Sequence, residues 1–99
     1  MSFEPTDRDI KAVRDSVHDW VGIDLTETQA RELILDPRVA SDYVRGGMDT
    51  VTRETAADVL AKRIVGRSWP TYGDGGEVGK RFFAEFAVKA EEKGYVVLK

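Results

Sequence analysis

With 41% hydrophobic and 33% charged residues in 99 positions, the chain has the make-up of one folded domain around one core, which excludes both a disordered tract and a membrane-embedded chain. The lack of cysteine excludes disulfides, thiolate zinc sites and cysteine nucleophiles, and a single histidine, His18, leaves a histidine metal site or a Ser-His-Asp triad hard to build. The net charge of −3 is spread unevenly: residues 1–36 carry nine acids against four bases, residues 37–68 four against six, and residues 69–99 five of each.

An acidic first third beside a mildly basic middle is a polarised surface suited to choosing a partner, well short of the basic stripe of a dedicated nucleic-acid binder. No apolar run approaches the roughly 18 residues of a transmembrane helix. The start, MSFEPTDRD, lacks the basic and greasy segments of a signal peptide. The expectation is a cytoplasmic protein with no membrane contact.

Thr6 or Asp7 caps a first helix to about Val21, its apolar stripe being Ile10, Val13, Val17, Trp20 and Val21. His18 lies at the stripe's margin and reads as a half-exposed surface histidine, the alternative being a pair with Asp15 one turn earlier. Gly22 ends that helix, and Ile23 and Leu25 form a short extended link. Thr26-Glu27-Thr28-Gln29 is a capping box opening a second helix to Leu35, with Ala30, Leu33 and Ile34 inward. Asp36-Pro37 then restarts the chain as N-cap and first helical residue. A third helix runs from Pro37 to Arg45 with Val39, Ala40, Tyr43 and Val44 inward, closed by Gly46-Gly47. After a connector from Met48 to Val51, Thr52 is expected to cap a fourth helix over Arg53 to Val65, with Ala56, Val59, Leu60 and Ile64 inward. Lys62, Arg63 and Arg67 gather at its end, where the helix dipole favours cations.

Pro70 forces Trp69 out of the α region, so this helix stops near Gly66 and Trp69 and Tyr72 are carried on a loop. Burying such an aromatic removes about 150–250 Å² from water, which favours Trp69 as an anchor pinning the loop; the other reading is a binding hot spot. Asp74, with Glu77, can cap a fifth helix, whose Phe82, Phe83, Phe86, Ala87 and Ala90 make the apolar centre of the chain. Gly94 stands where a left-handed C-cap belongs, with Tyr95 folding back. Val96 to Leu98 is β-prone and needs a partner: Ile23 to Leu25, the Met48 to Val51 connector, or another molecule.

These elements predict a mainly α, compact bundle of about five helices with a short C-terminal extended segment. No chemistry-bearing motif emerges. Gly73 to Arg81 resembles a phosphate loop only superficially: Asp74 stands where the first glycine belongs, Arg81 replaces the Ser or Thr, and no strand precedes it. The carboxylate pairs Asp15 with Asp19, Glu27 with Glu32 and Glu91 with Glu92 lie on polar helix faces, and no serine sits in a G-x-S-x-G context. Neither a metal nor a cofactor is expected.

The third and fourth helices suggest a helix-turn-helix, with Arg53, Glu54 and Thr55 opening the recognition helix. A connector of about seven residues is longer than the three or four that motif uses, and Asp49, Glu54 and Asp58 would face the DNA.

Residues Gly66 to Gly75, Phe82 to Phe86 and Lys93-Gly94-Tyr95, within a stretch that spans about a third of the chain, resemble the C-terminal half of small phage and prophage proteins. These include anti-CRISPR inhibitors, which bind a nuclease or surveillance complex without chemistry; the resemblance implies a class and carries over no functional residue. The functional expectation is a non-catalytic interaction protein that meets a bacterial or host protein complex through Lys62, Arg63, Arg67, Trp69 and Tyr72. A homodimer through the C-terminal segment is a further expectation. The alternative is a small DNA-binding transcriptional regulator.

Overall fold

A computed structural model describes residues 3–70 and 77–98. Its helices are α1 (Asp7–Trp20), α2 (Glu27–Ile34), α3 (Pro37–Gly46), α4 (Thr50–Val65) and α5 (Glu77–Glu92). Two short strands, β1 (Ile23–Asp24) and β2 (Val96–Val97), pair antiparallel with Ile23 opposite Val97 and Asp24 opposite Val96. The fold is mainly α, and no helix among the described residues is long and apolar enough to cross a membrane.

Local chemistry sets most boundaries. Thr6 and Thr26 each accept the backbone N–H three residues on, while Asp9 and Gln29 return the bond to the cap's own N–H, so both helices open on complete capping boxes. Asp36 caps α3 ahead of Pro37. At the other end of the chain Tyr95 N–H reaches Ala90 O and Gly94 N–H reaches Glu91 O, with Gly94 at φ +90°, which is the Schellman closure. That closure aims β2 at β1, and the partner of the C-terminal strand is therefore the Ile23 link of the same chain.

The core is built around α4, which packs against α1, α2, α3 and α5. Ala56, Ala57 and Ala61 let neighbouring helices approach closely, and Val59, Leu60 and Ile64 fill the spaces between them. Thr52, fully buried, donates its hydroxyl to Gly47 O and to Asp49, so its polarity is satisfied. Packing of α5 involves Phe82, Phe86 and Ala90 on one row.

Four expectations are corrected. Helix α4 begins at Thr50 with Asp49 as its cap, because the Asp49 carboxylate takes the N–H of Thr52, leaving the Thr52 side chain for Gly47. The α3–α4 connector therefore shrinks to Gly47, Met48 and Asp49. Trp20 and Val44, placed inward by periodicity, are exposed, since each stands in the last turn of its helix where the chain is already leaving the core. Finally, His18 is exposed as read, but the alternative pair with Asp15 does not form: His18 Nδ1 lies 3.0 Å from Asp19 Oδ1, and Asp15 accepts from Lys11 at 2.7 Å, a better i,i+4 geometry. The expected Asp74 cap lies outside the described residues.

Candidate functional site

Four of the predicted partner-binding residues, Lys62, Arg63, Arg67 and Trp69, lie at one corner, where α4 ends and α5 passes it. Gly66 caps α4 in the left-handed conformation at φ +72°, turning the chain back along its own helix. Trp69 N–H then donates to Asp58 Oδ1 at 3.1 Å, two turns earlier on α4, which fixes the loop. Held there, the indole meets Phe82, Phe83 and Phe86 edge-on, with ring centroids 5.7, 5.2 and 5.6 Å away. Trp69 is thus the partly buried anchor that loop logic favours. Phe83 differs from its neighbours: it is 46% exposed, a large rigid ring presented to the outside.

None of the three cations of the cluster stands alone. Lys62 Nζ lies 3.4 Å from Asp58, Arg63 lies 3.2 Å from Asp36, and Arg67 is bonded to Glu85 of α5 while its guanidinium sits 5.8 Å from the centre of the Phe82 ring. Asp58 also accepts from Arg38 at 2.8 Å, so a single carboxylate ties α3, α4 and the Trp69 loop. Its partial burial alone would raise the pKa. The Arg38 hydrogen bond, the Trp69 amide and the neighbouring Lys62 outweigh that and hold it below the ordinary value. Tyr72, the fifth predicted residue, lies outside the described residues.

What the corner offers is an aromatic surface rimmed by satisfied ion pairs. Sequence reasoning missed Phe83, Glu85 and Asp58. For Phe83 a signal existed: Phe82, Phe83 and Phe86 cannot all lie on a single helical row, so one had to stand at its edge. For Asp58 one existed too, since it stands four residues before Lys62 on α4; for Glu85 there was none, because its pairing with Arg67 crosses the fold.

A second concavity, an open cleft of about 490 Å³, runs along α1 between Asp7, Lys11, Asp15, His18, Asp24 and Glu27. Its charges are turned on neighbours: Lys11 on Asp15, His18 on Asp19, and Arg14, whose Nε donates to Leu25 O at 2.9 Å and so holds the β1–α2 link. Among the described residues no group of three His, Cys, Asp or Glu side chains is placed to hold a metal ion.

Residues 3–99 match a family model described as a domain of unknown function, DUF8308. No curated protein and no solved structure gives a significant match.

Proposed function

The chain belongs to the DUF8308 family, and we propose that it is a non-catalytic protein-interaction module whose binding face is the corner formed by Trp69, Phe83 and the Arg67–Glu85 pair. The observation that carries this reading is Phe83, a half-exposed ring locked against Trp69 and bordered by charge. Interface hot spots share that anatomy, an aromatic anchor inside a polar rim. A cationic cluster already neutralised by Asp36, Asp58 and Glu85 favours a protein partner over a phosphate backbone, because each phosphate contact would first have to break an internal pair. The resemblance to phage proteins names the task within that class: blocking a bacterial defence complex by occupying its surface.

Two measurements test the reading together. Phe83→Ala should leave the urea midpoint nearly unchanged, a loss below about 1 kcal/mol for a half-exposed ring, and should abolish the protection that the chain gives a targeted phage in a host with an active defence complex. Full protection by that variant would remove the corner from the binding face.

One observation favours a second reading. The turn between α3 and α4 is three residues long, Gly47-Met48-Asp49, the length a helix-turn-helix uses, and Arg45 and Arg53 flank it with no acid within ion-pair distance among the described residues. Against it, the outer stripe of α4 carries Val51, Glu54, Asp58 and Lys62, a poor face for DNA. A salt titration of labelled duplex decides. The interaction reading expects weak, sequence-indifferent binding, whereas nanomolar sequence-specific binding with a slope of about −0.9 per phosphate contact would install the regulator in its place.

A further inference from the structure

Helix α5 has two faces, and only one is used. Phe82, Phe86 and Ala90 point into the core, while the opposite side presents Lys80, Ala84, Ala87 and Glu91 at the four-three-four spacing of a heptad seam, flanked by Phe83 and Val88. Phe83 is 46% and Val88 59% exposed. The two alanines leave the centre of this face low enough for another helix to approach closely.

We propose that a second copy of this chain covers that face, α5 against α5 in antiparallel orientation, about a two-fold axis passing between Glu85 and Phe86. The inference rests on reading this side of the molecule as a protein interface, and it adds a weak self-contact there, which a tighter protein partner of the Phe83 corner displaces. The sequence of the face is complementary to its own reversal. Such an axis sets Lys80 against Glu91 and Ala84 against Ala87, repeats both in the other direction, and brings the two Phe83 rings together along one flank and the two Val88 side chains along the other, the isologous arrangement of a closed dimer.

A second argument comes from where the charges sit. Lys80 and Arg81 lie within the first turn and a half of α5, at its positive pole, and Glu91 and Glu92 are its last two residues, at the negative pole. All four stand at the wrong end for the dipole of their own helix, offset only in part by Glu77 at its start and Lys89 in its last turn. In an antiparallel pair each end meets the opposite pole and the opposite charges of the partner, so what disfavours the single helix favours the pair. The overlap from Lys80 to Glu91 is only about 17 Å long, so the expected dimer is weak, with Kd of the order of micromolar to submillimolar.

Sedimentation equilibrium of the full chain up to about 1 mM, with thermal melts alongside, tests this. Lys80→Glu places carboxylate against carboxylate and should weaken the dimer by about tenfold or more, while the melting midpoint of the dilute protein holds or rises, since an acid suits a helix N-terminus. Glu91→Lys alone should act likewise, and the double exchange Lys80→Glu with Glu91→Lys should restore dimerisation to within about threefold of the original. Val88→Lys should leave a folded monomer. A chain that is monomeric throughout, or a dimer indifferent to both Lys80→Glu and Val88→Lys, overturns the proposal. A monomer whose protective activity is still lost on Phe83→Ala would also overturn it, and would keep the face for an unrelated protein.

Discussion

Phe86→Ala is expected to lower the free energy of unfolding by about 3–5 kcal/mol, a large share of the 5–15 kcal/mol available to a domain of this size. The ring is 3% exposed and stacks on Phe82 at 5.8 Å with an interplanar angle of 20°, and Trp69 meets it edge-on at 5.6 Å. Among the described residues helix α5 touches α4 and β2 and no other element, so the row Phe82, Phe86 and Ala90 carries most of its attachment. Removing the middle of that row opens a cavity that cannot collapse without shifting the whole helix, and the edge contacts of Trp69 are lost with it. Urea melts of Phe86→Ala beside Phe83→Ala give the cleanest comparison, because the two rings lie on the same helix and differ in burial. Equal losses in the two, or a loss below about 1 kcal/mol for Phe86→Ala, would mean that α5 is held by something other than this row.

Features decided within a few residues of one another were legible in the sequence. The Thr26 capping box, the Asp36-Pro37 start and the Gly94-Tyr95 closure each depend on side chains and amides no more than five positions apart, and all three stand in the fold as read, while of the two caps read for α1, Thr6 and Asp7, it is Thr6 that caps. Errors appear where two local solutions compete. Asp49 and Thr52 are both sound caps for α4, and residue type alone does not rank them; in the fold Asp49 takes the Thr52 N–H while the buried Thr52 hydroxyl turns back to Gly47 O. Periodicity likewise assigns Trp20 to the core without knowing that Val21, one residue later, is the side chain that packs against it. At the candidate site the difference is sharper. A run of cations at a helix end reads as a free basic patch, and only the fold brings Asp36 and Glu85 across to neutralise two of them.

Asp58 draws the consequences of that convergence together. Its side chain, 19% exposed, accepts from the Trp69 amide at 3.1 Å and from Arg38 at 2.8 Å, with Lys62 at 3.4 Å. The two cations are half-exposed, and surface pairs of that kind contribute little. The Trp69 amide is part-buried and has no other partner among the described residues, so leaving it unpaired dominates the cost, and Asp58→Ala should lose about 1.5–3 kcal/mol. The effect depends on pH, and its sign follows from the depressed folded pKa. A carboxylate easier to ionise in the folded state contributes fully above its unfolded value, near 3.9, and that contribution is lost as the pH falls through the lower folded value. Asp9, lowered by the Thr6 amide and then by the Tyr43 hydroxyl, and Asp49, lowered by the Thr52 amide, act in the same direction. The hydroxyl of Tyr43, pushed up to about 12 by burial and by its bond to Asp9, remains protonated throughout this range. The chain should therefore lose stability in acid, and the gap between it and Asp58→Ala should narrow as the pH drops from about 7 to about 3, where protonation weakens the same interactions that the substitution removes. Asp58→Asn, which can still accept from the Trp69 amide, should fall between the two at neutral pH and show the flatter pH profile. Urea midpoints of the three proteins at both pH values check this, and a neutral-pH loss below about 0.5 kcal/mol for Asp58→Ala, or a gap that widens in acid, would show that the Trp69 loop is held by its aromatic contacts alone.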